Sequence, residues 1–339
     1  MGPTALTPKL SPSHDEDMDL APATPTIVTL TLNPALDLST SVGWLEPWHK
    51  LRCDTIRMDP GGGGVNVARV VKELGGSPIA VVALGGHVGS LLADSLRRSD
   101  IDLRRVNVRG VTRQSFSVTA RASGEQYRFV APGAAMTARE WQRCIDATLE
   151  AAVGASFVVA SSSLPVGVPD DFFVTLANRV DSLGVPLIVD TSGPALERAL
   201  TANLAFAKPS VRELRMLAHV EVDNVTGYEM AARKVLAASR CETLVVSLGD
   251  AGALVVPSDG PSFIVHAPES RIVSAIGAGD SLVAAMALSL ARGADLRDAA
   301  RFGVAAGTAA ILREGTSLCC REDVERLLSQ TTITEFGQA

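Results

Sequence analysis

The sequence predicts an α/β fold: a three-layer sandwich around a mostly parallel sheet, with a small β-sheet inserted into it. Three observations lead there. Short runs that are apolar almost throughout recur along the chain, the pattern of strands covered on both faces. Segments of helical periodicity separate them, and repeated βα units with right-handed crossovers place helices on both sides of the sheet. Two segments, 38–58 and 114–131, break that rhythm with amphipathic strand patterns and no helix within them.

Taken in order, residues 1–25 hold five prolines, one lysine and four acids (Asp15, Glu16, Asp17, Asp19), and are expected to form a disordered acidic tail. Folding should begin with the β-branched run at 27–32. Further buried strands are expected at 79–84, 156–160, 187–190 and 243–247, with helices at 66–74, 89–97, 138–151, 170–183 and 228–238. In the second inserted segment Phe116, Val118 and Ala120 alternate with Ser117, Thr119 and Arg121. Ser123 and Gly124 mark a turn, after which Tyr127 and Phe129 alternate with Gln126 and Arg128. This is a hairpin with one apolar face, which a substrate, a partner subunit or both must cover. From Gly277 the chain becomes helical and rich in Ala and Gly, at 280–291 and 296–312, so these helices can approach the sheet closely. The folded domain is expected over 26–330, with 331–339 a C-terminal tail.

Composition narrows the function. Of 339 residues 47% are hydrophobic, enough for a large core, and the formal charge is −6. That balance argues against nucleic acid as the main ligand, which needs a concentrated basic face, but leaves room for a small anion held by a few cations. The five cysteines form no C-x-x-C pair and no zinc-like cluster, as expected for ordinary thiols in a reducing compartment. The longest apolar stretch, 282–291, is about half the ~20 residues of a membrane span, and the first 20 residues lack the apolar core of a secretory signal. A cytoplasmic location without membrane contact is expected.

Four motifs carry chemistry. In Pro60-Gly-Gly-Gly-Gly-Val-Asn-Val-Ala-Arg69, four glycines run straight into a helix. Its free N–H groups and bare backbone suit a polyol or a phosphate, the plain alternative being a flexible turn. The loop lacks the third glycine of a dinucleotide fingerprint, and no Gly-Lys dipeptide supplies a Walker loop. Gly277-Ala-Gly-Asp280 opens a long apolar helix, where amides form an anion hole and the carboxylate is either a general base or an N-cap. Val245-Val-Ser-Leu-Gly-Asp-Ala-Gly252 is a strand and a glycine turn, compatible with a hairpin. In Asn33-Pro-Ala-Leu-Asp37 the aspartate either accepts bonds from sugar hydroxyls or shapes a turn. Lys50, Arg52 and Arg128 fall in the inserted segments and Arg113 immediately before the second, where together they can hold a phosphate.

These motifs in this order resemble the PfkB (ribokinase-like) carbohydrate kinase family, over about 27–328. Within it Lys50-Leu-Arg-Cys53, Thr112-Arg-Gln114, Gly124-Glu-Gln-Tyr-Arg-Phe129 and the glycine at position 63, where related branches carry Lys, are most similar to the minor-type 6-phosphofructokinase branch. The resemblance implies an ATP-dependent kinase that converts fructose 6-phosphate to fructose 1,6-bisphosphate. The alternatives are a tagatose 6-phosphate or fructose 1-phosphate kinase, or a non-catalytic sugar-phosphate sensor.

It also implies roles. Asp280 is the base, and the amides of Gly277, Ala278 and Gly279 form the anion hole. Asp37, Gly62, Gly63, Gly64, Asn66 and Ser163 bind the sugar; Lys50 and Arg113 hold its phosphate, with Arg52 reaching in from a neighbouring subunit. Lys208 and Ser210 serve the ATP phosphates, Ser247, Gly249 and Gly252 line the nucleotide site, and Val304 and Thr308 flank the adenine. Glu213 holds Mg²⁺ through water, and K⁺ sits on carbonyls of Ser274, Ile276, Ala310, Arg313, Gly315 and Ser317. The inserted strands become a lid that excludes water and forms a homodimer interface. Three motifs depart from the family pattern: Ser210 replaces the Asn of the Asn-x-x-Glu motif, Ser162 a Gly, and Ser274-Ala275 an Asp-Thr pair. None of them removes the base or the anion hole.

Overall fold

The computed structural model describes residues 24–313 and 315–336; the expected acidic tail lies outside them except at its last two residues. The first half runs β1 (Thr26–Thr31), β2 (Ala35–Val42), β3 (Arg57–Gly61), α1 (Gly63–Glu73), β4 (Ser77–Leu84), α2 (Gly86–Arg98), β5 (Asp102–Asn107), β6 (Arg113–Ala120), β7 (Gln126–Val130), α3 (Ala138–Ala152) and β8 (Phe157–Ser161). The second runs α4 (Phe172–Asp181), β9 (Leu187–Asp190), α5 (Pro194–Ala199), β10 (Phe206–Ala207), α6 (Val211–Ala218), α7 (Val225–Ala237), β11 (Thr243–Ser247), β12 (Gly252–Pro257), β13 (Phe263–His266), α8 (Ala278–Ala291), α9 (Leu296–Ile311), α10 (Arg321–Leu328) and β14 (Thr332–Glu335).

Ten strands form the main sheet, in the order β14-β13-β12-β11-β10-β9-β8-β1-β4-β5. Neighbours from β5 to β11 are parallel, and β11 to β14 are antiparallel. Period-two alternation explains why helices cover both faces. Val28 and Leu30 of β1, and Val158 and Ala160 of β8, pack with α3 to α7; Ile27 and Val159, out of phase with them by one residue, pack with α1, α8, α9 and α10. The α/β sandwich expected from the sequence is therefore present.

The smaller sheet has the order β3-β2-β6-β7. Its register puts Asp37 opposite both Asp59 and Ser115, and Ser39 opposite Arg57 and Ser117, the last facing Arg128. One face is thus polar; the other carries Leu38, Met58, Phe116 and Phe129. Between β2 and β3 the chain has no strand over 43–56.

One boundary differs from expectation. Residues 331–339 do not form a tail throughout, because β14 pairs with β13 at the sheet edge. A strand with one large apolar residue, Ile333, gives no local signal; it is held by the ladder and by the Arg297–Glu335 ion pair.

Candidate active site

In a parallel sheet with helices on both faces, the carboxyl ends of the strands and the following helix starts face one crevice. The glycine loop lies there. Gly62 has φ 108°, a left-handed conformation open to glycine, and α1 starts immediately after it. A Cβ on Gly64 would sit 2.5 Å from the carbonyl oxygen of Leu30, so only a bare backbone lets α1 rest on β1. This places Asn66 one turn into the helix, with its side-chain amide donating to Asp280 Oδ2 at 2.8 Å.

Asp280 stands in the first turn of α8, behind Gly277, which caps the helix with φ 79°. The amides of Gly277, Ala278 and Gly279 belong to the helix start and have no partner one turn back. Burial, with the nearby charge of Asp190 adding to it, pushes the Asp280 carboxyl up to about 6, against the opposing pull of Asn66, Lys208 and Arg128. Lys208 Nζ is 3.3 Å from Asp190 Oδ1 and rests against Gly279, whose added Cβ would lie 3.2 Å from it. Burial alone would lower the Lys208 pKa; the carboxylates of Asp190, Asp280 and Glu213 outweigh that and raise it.

On the lid side Asp37 is 4% exposed, and its Oδ1 is buried with no hydrogen-bond partner. A buried carboxylate oxygen without a partner can accept a hydrogen bond from a ligand hydroxyl. Burial raises its pKa, while Arg128 and Arg113 oppose the rise. Gly61 leaves room for this carboxylate, since a Cβ there would lie 2.2 Å from Oδ2. Arg113 donates to the carbonyls of Ala131 and Asn33, at 3.1 and 3.2 Å, and keeps a buried, unpartnered Nε. Lys50 and Arg52 lie exposed in the stretch between β2 and β3. Ser163 is exposed and accepts a bond from Asn33 Nδ2 at 3.0 Å, while Ser162 accepts from the Asn33 amide at 3.1 Å.

Beyond the anion hole opens a cavity of about 490 Å³. Its walls include Ser247, Gly249, Gly252, Val304 and Thr308 together with Ala278 and Gly279, so the helix start borders the cavity. Ser210 lies at its rim, bridged to Ser247. Its side chain caps α6, and both its amide and its hydroxyl donate to Glu213 Oε2, at 2.7 and 2.8 Å. The Glu213 carboxylate is thereby fixed in direction with Oε1 outside these bonds, which fits a water-mediated Mg²⁺ contact.

The carbonyl-bearing segments at 274–276 and 310–317 also meet. Ser274 Oγ donates to the Gly315 carbonyl at 2.9 Å, and the Arg313 amide to that of Ala310 at 3.2 Å. Ile276 is buried, and the Ser317 hydroxyl takes a bond from Arg57. No group of three or more His, Cys, Asp or Glu suited to a metal occurs among the described residues, and these neutral oxygens suit a monovalent cation.

Sequence reasoning missed two residues. Asp190 ends a buried strand and has no motif around it, so only its Lys208 ion pair reveals it. Asp59, with its 8% exposure, was hidden beside the glycine loop. Arg128, read as one of four lid cations, stands on the same face of the small sheet as Asp37.

The pfkB family carbohydrate kinase model matches residues 32–323. The chain belongs to the PfkB family. Among curated PfkB proteins, the ATP-dependent 6-phosphofructokinase isozyme 2 of Mycobacterium tuberculosis is 42% identical over 315 residues, covering 93% of this chain and 92% of the relative. Among solved structures, phosphofructokinase-2 from Escherichia coli in complex with potassium has 40% identity and a TM-score of 0.86, covering 90% of this chain and 99% of that one. The same enzyme in complex with fructose-6-phosphate has a TM-score of 0.84 at the same identity and coverage. The PfkB kinase described here thus shares both the fold and nearly the full length of these enzymes.

Proposed function

We propose that this protein is an ATP-dependent 6-phosphofructokinase, transferring the γ-phosphoryl group of ATP to the 1-hydroxyl of fructose 6-phosphate. One observation carries the reading: the Asp280 carboxyl, pushed up to about 6 by burial and held by the Asn66 amide, stands in the same helix turn as Ala278 and Gly279, which border the cavity. A base and an anion hole at one helix start suit phosphoryl transfer, which needs positioning and charge stabilisation more than covalent chemistry. The similarity to enzymes of that name supports the substrate.

Asp37 and Asn66 hold sugar hydroxyls, with the bare loop of Gly62, Gly63 and Gly64 allowing close approach and Ser163 at the edge. Lys50 and the free Nε of Arg113 meet the 6-phosphate, joined by Arg52 of a second copy. Asp280 removes the proton of the 1-hydroxyl, and the resulting oxygen attacks the γ-phosphorus as the bond to the β-phosphate oxygen breaks. The amides of Gly277, Ala278 and Gly279, with Lys208, take the charge of the transferring group. Ser247, Gly249, Gly252, Val304 and Thr308 hold the nucleotide. Glu213 would hold Mg²⁺ through water, and the ion would neutralise charge on the ATP phosphates. Carbonyls of the 274–276 and 310–317 segments would hold K⁺, which would add a fixed positive charge. The apolar lid face, with Met58 and Phe129 62% and 57% exposed, is covered by a second copy in a homodimer.

The test is ADP release with Mg-ATP, K⁺ and fructose 6-phosphate, against tagatose 6-phosphate and fructose 1-phosphate. Fructose 6-phosphate is expected to give the highest kcat/KM. Asp280→Asn is expected to lower kcat by roughly 10²–10⁴-fold, the usual range for a lost general base. Near-normal turnover by that variant would reject the assignment.

A further inference from the structure

At the base of the lid, three separate segments meet on one carboxylate. Asp59 of β3 accepts from Arg57 Nη2 at 3.0 Å on Oδ1 and from Thr316 Oγ1 at 2.6 Å on Oδ2, which also forms an ion pair with Arg57 Nε at 2.8 Å. Arg57 in turn donates to Ser317 Oγ at 2.5 Å. On the other side, Arg69 of α1 donates to the Pro60 carbonyl at 2.9 Å and stands 4.0 Å from Asp59 Oδ1. Both Asp59 and Thr316 are buried, at 8% and 4% exposure. Asp59 is also the cross-strand partner of Asp37. The same loop touches the lid a second time, because a Cβ on Gly315 would lie 3.1 Å from Ser39 Oγ of β2.

We propose that Asp59 is a positioning residue that couples the sugar-binding carboxylate Asp37 to the 315–317 loop, so that sugar phosphate and monovalent cation bind cooperatively. This rests on the sugar and cation roles argued above. A buried carboxylate satisfied by both a lid arginine and a loop hydroxyl fixes the two segments together, since breaking either contact leaves a buried polar group unpaired. When sugar draws on Asp37, strand β3 carries its pull through Asp59 and Thr316 to the carbonyls of Gly315 and Ser317. Linkage makes the effect reciprocal: each ligand tightens the other by the same factor.

The experiment measures thermal stabilisation by K⁺ with and without fructose 6-phosphate, in the unsubstituted protein and in Asp59→Asn and Thr316→Val. In the unsubstituted protein, fructose 6-phosphate is expected to lower the half-effective K⁺ concentration by about fivefold or more, the low end of allosteric couplings. Both variants are expected to bring that ratio close to one and to raise the KM for fructose 6-phosphate more than they lower kcat, while ATP still stabilises them. Thr316→Val, which leaves the carboxylate in place, decides the matter if Asp59→Asn does not fold. An unchanged ratio in the variants would overturn the coupling, as would loss of the ATP effect along with it, which would mark Asp59 as merely structural. A ratio of one in the unsubstituted protein would overturn the coupling, while no stabilisation by fructose 6-phosphate at all would overturn the sugar assignment itself.

Discussion

A general base working near neutral pH has to combine a proton affinity close to that pH with a fixed direction. At Asp280, burial and the neighbouring Asp190 supply the first, and the 2.8 Å bond from Asn66 the second. In the proposed mechanism the carboxylate is the active form, so activity should be present above the raised pKa and lost as pH falls through it. A plot of log(kcat/KM) for fructose 6-phosphate against pH should therefore bend near 6 and drop tenfold per unit below it. An acid limb near 4 would show that the buried environment does not act on the base in solution. The substitution at Ser210 reads differently in the fold than in the motif. It holds Glu213 through a capping box, so Ser210→Ala should cost about 1 kcal/mol of stability in urea unfolding, the usual loss for an N-cap.

The elements legible in the sequence are those that satisfy themselves locally. β1, β8, β9 and β11 are built around short, buried apolar β-branched runs, and α8 and α9 are long and Ala-rich. β5, with arginines at 104 and 105, is a charged edge strand, a device that discourages edge pairing and erases the apolar pattern. β10 has two residues, and β14 depends on Arg297 and β13; neither has a signal of its own. Asn66 and Asp280 of the two glycine motifs meet because glycine loops and helix starts place side chains by backbone geometry. Asp59 and Asp190 take their meaning from partners distant in sequence, Thr316 and Lys208, and no local reading finds them. The tight seat of α1 on β1 is itself testable. Gly64→Ala must push a Cβ toward the Leu30 carbonyl, and the overpacking should cost about 1–3 kcal/mol, seen as a lower thermal midpoint with the secondary structure intact.

At the scale of the whole molecule, the lid has two unlike faces and one of them lacks a cover. Met58 and Phe129 lie on its apolar side, and Trp44 and Ile56 in the adjoining stretch are also exposed. Met58→Asp with Phe129→Asp should convert a homodimer to monomers in sedimentation, while the fold of the main sheet survives. A dimer that persists through both charges would place the interface elsewhere. The lid is also not a single insertion. The chain passes between the main sheet and the lid four times, from β1 to β2, from β3 to α1, from β5 to β6 and from β7 to α3. A flap on one hinge swings through a wide arc, but a plate moored at four corners can only tilt. With four crossings, any closure of the small sheet over the crevice is expected to be a small rocking rather than a wide swing.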